Sequence, residues 1–470
     1  MGDAPGKPIR WNPMNLHVPQ NKEDPMNRIF LPIEIKVREF HSKLLFALFA
    51  AERGFETVLG GQLELIDRMP RLGNGIYIDK STAITKREWF KKCRQMGNYV
   101  AAWDEEGLLY LDDEVYHATR MDPESFGMTD LFFTWGPHHT RTILAKYPDA
   151  ADRVVPVGNP RMDLLRPEFI GYCDDRVAEL RRKHGRMILI NTNFASYNYA
   201  KGPEAAAKLN DPYPIKSMRA LTEGWAQFQK EGFESFAAAA QAIYDAFPDH
   251  TVVIRPCPSE ASGPWRQLFD GKERGLVSKE GNVIDWIHAA EASMQFNCTT
   301  GVEAYLMGSP SVAYRRVRSP VYDTPLSIAC SLEAFTVEEL LAQLRRIVDA
   351  VAGGKPRPRP MSTIAVGDYM AALDGATSCE RILAEIQRRD FSPRPYALPA
   401  LPLIKRIWRA WLRVVRRPDP LDIQYYREKF PGFSVEEARE VALAFSRATG
   451  RFKNVRIVGA GRNIIRVCPI

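Results

Sequence analysis

A chain of 470 residues, 45% hydrophobic and 26% charged, has ordinary globular composition and length for about two or three domains. The net charge of +7 gives no ground for a nucleic-acid partner, whereas anionic substrates or a membrane surface fit it. Seven cysteines stand singly, with no CxxC and no histidine at metal-ligand spacing, which argues against a zinc site and predicts reduced thiols in the cytoplasm.

In chain order, residues 1–27 read as an irregular leader without the apolar core of a signal peptide. RIFLPIEI (28–35) predicts a strand, and Val37, Phe40, Leu44, Ala47, Leu48 and Ala51 then follow the helical period. Gly54 ends that helix and FETVLGG (55–61) reads as the next strand, so the chain opens as a β-α-β unit of a parallel sheet. GIYID (75–79), NYVAAW (98–103), DLFFTWG (130–136) and RVVPVGNP (153–160) continue it. A second half, 186–354, opens with RMILINTNF (186–194). TVVIRP (251–256), GLVSKE (275–280), ASMQFN (292–297) and PSVAY (310–314) follow as strands, with helices around 222–246, 301–308 and 337–354. The expected fold is α/β, with Rossmann-like domains at 28–170 and 186–354 facing a cleft. No glycine-rich dinucleotide or P-loop fingerprint is present.

From 355 to 470 the chain reads as a linker and a helical tail. Within it, PLIKRIWRAWLRVVRRP (402–418) sets Ile404, Trp408, Trp411 and Val415 on one face and six Lys and Arg around the rest. That pattern fits a helix lying on an anionic membrane surface, and equally a helix packing its tryptophans on the protein body. No apolar run approaches the ~20 residues that span a bilayer.

Three stretches fall at predicted strand ends, where a cleft would lie. WDEEG (103–107) puts Asp104, Glu105 and Glu106 directly after an apolar strand. Such a triplet is usually a solvated loop, but a carboxylate in a partly dry cleft can act as a base. In RPCPSE (255–260), two prolines fix Cys257 beside Arg255. In FNCTTGVEA (296–304), Thr299 and Thr300 precede a helix, giving either a plain N-cap or an anion site.

Taken together, and in this order, these motifs resemble those of the bacterial sialyltransferase-like glycosyltransferases of the GT-B fold, which include polysialyltransferases and capsule Kdo transferases. The chain resembles more closely the family called surface carbohydrate biosynthesis proteins, through LPIEIKVREFHSKLLFALFAAERGFETVLGG, VGNPRMDLL, ILINTNFASYN and NCTTGVEA, over roughly 28–350. The resemblance implies a metal-independent glycosyltransferase of surface polysaccharide synthesis without a cofactor. Its acceptor, a glycan or lipid-linked glycan, would sit on the first domain and its nucleotide-sugar donor on the second. That donor would be a CMP-activated acidic sugar such as Kdo or a nonulosonic acid. Glu105 would be the base, and Glu106 or Asp104 would orient it or hold the acceptor. Thr299, Thr300 and the amides of Gly301 and Val302 would bind donor phosphate, and Glu303 would accept the ribose hydroxyls or stand as a surface helix residue. The expected location is cytoplasmic, either free or peripheral at the inner face of the cytoplasmic membrane.

One departure stands out. The family carries His-Pro where this chain has Cys257-Pro258. A thiol is a poor manager of phosphate charge, so either Arg255 supplies the cation or this copy is slow or inactive. The alternatives are a non-catalytic nucleotide- or glycan-binding member and an epimerase or phosphotransferase on the same scaffold.

Overall fold

Short apolar runs, covered on both faces by helices, build two parallel sheets in the computed structural model, which describes residues 27–210, 216–309, 311–360, 364–395 and 420–470. The first sheet contains β1 (Arg28–Ile33), β2 (Glu56–Gly61), β3 (Ile76–Asp79), β4 (Tyr99–Trp103), β5 (Leu131–Thr134) and β6 (Val154–Pro156). Every residue of β3, β4 and β5 is buried, so these strands read as continuous rather than alternating apolar runs. The second sheet contains β7 (Met187–Asn191), β8 (Thr251–Arg255), β9 (Gly275–Val277), β10 (Ala292–Gln295), β11 (Val312–Tyr314) and β12 (Leu332–Ala334), in the order β12-β11-β10-β7-β8-β9. The architecture is α/β and GT-B-like. Two Rossmann-like halves present residues just past the carboxyl ends of their strands to one cleft.

The chain after residue 355 is not only helical. Helices Ser378–Arg388, Pro420–Lys429 and Val435–Thr449 are followed by β13 (Val455–Gly461) and β14 (Ile464–Pro469), an antiparallel hairpin. β14 pairs antiparallel with β2, which extends the first sheet to the order β13-β14-β2-β1-β3-β4-β5-β6. The physical cause is legible in the β-branched residues on either side of Gly461-Arg462-Asn463, with Asn463 turning at φ 55°. Ile464, Ile465 and Val467 are buried, and Phe445 stacks on Tyr172 with ring centroids 4.6 Å apart. The hairpin is therefore part of the first half. The basic stretch 402–418 lies outside the described residues. Among those described, no helix is long and apolar enough to cross a membrane.

Candidate functional site

Strand ends of both sheets surround a cleft of about 570 Å³. The turn after β4 places its three carboxylates in three different environments. Asp104 is buried and held by Arg120, with Nε 3.0 Å from Oδ2, while its Oδ1 accepts the Glu106 N–H at 3.2 Å. It anchors the turn and does not line the cleft. Glu106 is half exposed, and Arg38, 2.6 Å away, holds its carboxyl down at about 2. Glu105 lines the cleft at only 3% exposure, and its Oε1 accepts the Trp103 Nε1–H at 2.9 Å. Gly107 serves packing, because a Cβ there would overlap the His139 ring. Burial keeps that imidazole neutral, with its pKa lowered to about 4, and it bonds the Tyr116 hydroxyl at 2.7 Å.

The turn after β8 corrects the role expected of Arg255. Its guanidinium is buried and donates to the carbonyls of Glu280 at 2.7 Å and Gly281 at 2.9 Å, with its cation 5.1 Å from the Trp286 ring centroid. Although Arg255 lines the cleft, both terminal nitrogens are committed to the turn that leads into helix Val283–Ala289. Burial lowers its pKa to about 10, against the pull of Asp285. Burial, with Glu260 beside it, pushes the Cys257 thiol up, so the sulfur is a neutral thiol rather than a nucleophile. The Cys257 N–H donates to Glu260 Oε2 at 3.3 Å, and the Thr192 hydroxyl donates to the same carboxyl. Burial raises Glu260 to about 7. This loop is held both by its own bonds and from outside, by Thr192 and by Lys279, whose Nζ donates to the carbonyls of Pro258 and Glu260.

The third motif starts its helix two residues earlier than the sequence suggests. Helix Thr299–Leu306 has Cys298 as N-cap, so Thr299 and Thr300 are its first residues. The Gly301 N–H is committed to the Cys298 carbonyl at 3.1 Å and is not an open phosphate donor. A Cβ at Gly301 would press on Ser331 Oγ at 2.9 Å and Gln295 Nε2 at 3.0 Å, so this glycine allows the helix to lie close to β10. Val302 is buried in the core. Glu303 is no surface residue: it is 2% exposed and faces the other half of the molecule.

Arg161, to which sequence reasoning gave no role, bridges the two halves. Its Nη2 donates to Glu303 Oε1 at 2.7 Å and its Nη1 lies 3.8 Å from Glu105 Oε2, all three side chains being buried. A guanidinium from the first half thus bridges a carboxylate of each half. The Gly-Asn-Pro before it explains its placement. Gly158 turns at φ 89°, Asn159 caps the short helix Pro160–Asp163, and Pro160 occupies a first-turn position. Asp163 in turn accepts the amides of Ser378 and Cys379 at 2.9 Å each, fixing the helix from its other end. Around this bridge, Glu105 Oε2, Glu303 Oε2, Asn191 Oδ1 and Thr300 Oγ1 are buried and have no hydrogen-bond partner among the described residues. All four residues line the cleft.

Helix Pro420–Lys429 closes one rim. Glu428 pairs with Lys279 at 3.1 Å, and Lys429 lies 3.8 Å from Glu34, which pairs with Lys80 at 2.6 Å. Among the described residues no three His, Cys, Asp or Glu side chains are placed to hold a metal ion.

No protein-family model matches the chain, and no curated protein sequence does. Solved structures similar in overall course include the wall teichoic acid polymerase TagF with CDPG, at 8% identity and TM-score 0.44 over 79% of this chain and 90% of that one. A UDP-GlcNAc 2-epimerase from Methanocaldococcus jannaschii is 10% identical with TM-score 0.48 over 77% of this chain and 99% of that one. MnaA from S. aureus, solved with UDP, is 12% identical with TM-score 0.47 over 77% and 96%. None of them assigns a residue, ligand or reaction to this chain.

Proposed function

We propose that the protein is a glycosyltransferase that moves a sugar from a nucleotide-activated donor to a glycan hydroxyl in the cleft between its halves. The observation that carries this reading is the Glu105–Arg161–Glu303 bridge, together with the unsatisfied buried oxygens of residues that line the same cleft. Buried acceptors without partners are costly, and they fit a ligand rich in hydroxyl donors, such as a ribose and a sugar. In this mechanism Glu105 takes the proton of the acceptor hydroxyl, whose oxygen bonds to the anomeric carbon as the nucleotide leaves with the bond pair. Arg161 is the positioning residue that holds Glu105 and Glu303 in register across the cleft. Glu303 and Asn191 accept donor hydroxyls, and Thr299 and Thr300 at the helix start meet the donor phosphate. A CMP-activated acidic sugar, the donor implied by the family resemblance, is the first to test.

The test is nucleotide release from a panel of CMP-, UDP- and CDP-activated donors, read beside thermal stability with each free nucleotide. One nucleotide class at a hundredfold excess over its Kd should stabilise the fold by ~2.7 kcal/mol. Glu105→Gln should lower transfer by roughly 10²–10⁴ while that stabilisation persists. Stabilisation by no nucleotide defeats the reading, and stabilisation without turnover by any donor makes the protein a binding module.

A further inference from the structure

Beyond the rim of the cleft, residues 108–114, which run into the start of helix Asp113–Arg120, form a second groove of about 510 Å³ with His138, Tyr369 and the start of helix Pro325–Ala329. Leu108, Leu109, Tyr110, Leu111 and Thr324 belong to both spaces, so the groove opens directly beside the Glu105-Glu106 turn. Its wall is aromatic. Tyr110 and His138 stack at 17° with centroids 5.9 Å apart, and His138 and Tyr369 lie 4.4 Å apart at 31°.

These rings are fixed in advance. The Tyr110 hydroxyl bonds Thr142 Oγ1 at 2.9 Å, and Thr142 donates to Asp113 at 2.8 Å. Arg141 clamps Asp368, next to Tyr369, through two bonds of 2.9 and 2.5 Å. Gly136 lets the backbone of Tyr369 approach so closely that a Cβ there would sit 2.6 Å from its carbonyl. Prior ordering of this kind removes much of the entropy cost of binding. The rest of the lining is partly apolar, from Leu108, Leu109, Leu111, Pro325 and Leu326, and its only charged residues are Asp112, Asp113 and Glu114, all exposed.

We infer that this groove is a carbohydrate subsite for the acceptor and that it takes a neutral pyranose rather than an acidic one. The inference rests on the glycosyltransferase reading for its role, though the binding itself does not. The C–H face of a pyranose is apolar and packs on an aromatic face, while its hydroxyls are donors for carboxylates. A uronate or another acidic sugar would meet three carboxylates and be repelled. Donor and acceptor would therefore differ in charge, and the product of one transfer would not be a good acceptor for a second acidic residue.

Saturation-transfer NMR with neutral gluco-, galacto- and manno-trisaccharides, and with their uronate counterparts, tests this on the full chain. At least one neutral probe should bind, the uronates should bind more weakly, and Tyr369→Ala should weaken the neutral probe roughly tenfold. Tyr369→Trp should restore binding, which separates ring stacking from a folding defect; if Tyr369→Ala does not fold, His138→Ala takes its place beside Tyr369→Trp. Binding of no neutral probe, equal binding by the alanine variant, or tighter binding of uronates overturns the inference. If trisaccharides bind this groove while no nucleotide stabilises the protein, the subsite stands and the transferase reading falls.

Discussion

Glu105 and Arg255 make an instructive pair. Each sits at or just past the carboxyl end of a parallel strand, each lines the same cleft, and each is almost fully buried. Yet Arg255 has both terminal nitrogens committed to main-chain carbonyls, whereas Glu105 keeps one oxygen without a hydrogen bond and a guanidinium 3.8 Å away. Position at a strand end selects candidates for chemistry. Whether a buried polar atom already has its partners decides between scaffold and site.

Arg161→Met tests the working side hardest. It leaves Glu105 and Glu303 buried without their shared counter-charge, and should cost about 3–5 kcal/mol in urea unfolding. A cost near zero would mean that the bridge is not closed in solution. On the scaffold side, Glu260→Gln tests the cohesion of the Cys257 loop through pH. Burial raises the folded pKa of Glu260 from 4.5 to about 7, so the folded state holds the proton more tightly than the unfolded state does. Its stabilising contribution is present below about 4.5 and is lost as pH rises toward 7. Across that window the variant should escape a loss on the order of 3 kcal/mol that the wild type suffers. Parallel stability–pH curves for the two proteins would remove Glu260 from this account. Arg255→Met, smaller again, should cost about 2–3 kcal/mol through its lost charge-assisted bonds, with nucleotide affinity of the folded fraction unchanged. A weakened nucleotide affinity at preserved stability would return Arg255 to the donor site.

The paired α/β halves were legible because buried parallel strands leave long apolar runs and their helices keep a clear period. The terminal hairpin was missed, although its β-branched runs around Gly461-Arg462-Asn463 carry the signal, because its pairing partner β2 lies some four hundred positions earlier. For the site, the three motifs were found because each follows an apolar run. Their atoms were assigned less well. That Gly107 and Gly301 are packing glycines follows from the His139 ring and the Gln295–Ser331 contact, which no local stretch reveals. Arg161 lies within VGNPRMDLL, where nothing local marks its role, since its partners Glu105 and Glu303 come from distant segments. A Gly-Asn-Pro-Arg run just after a strand was the available clue, because cap and proline together fix where the arginine's helix begins.

The central claim is that the Arg161 bridge is the working centre and the proline-held thiol is not. Turnover of Cys257→Ser and Glu105→Gln on one donor, measured side by side with the wild type, tests it most directly. The account predicts that Cys257→Ser stays within about twofold of wild type while Glu105→Gln falls by roughly 10²–10⁴. A Cys257→Ser enzyme as impaired as Glu105→Gln would contradict it.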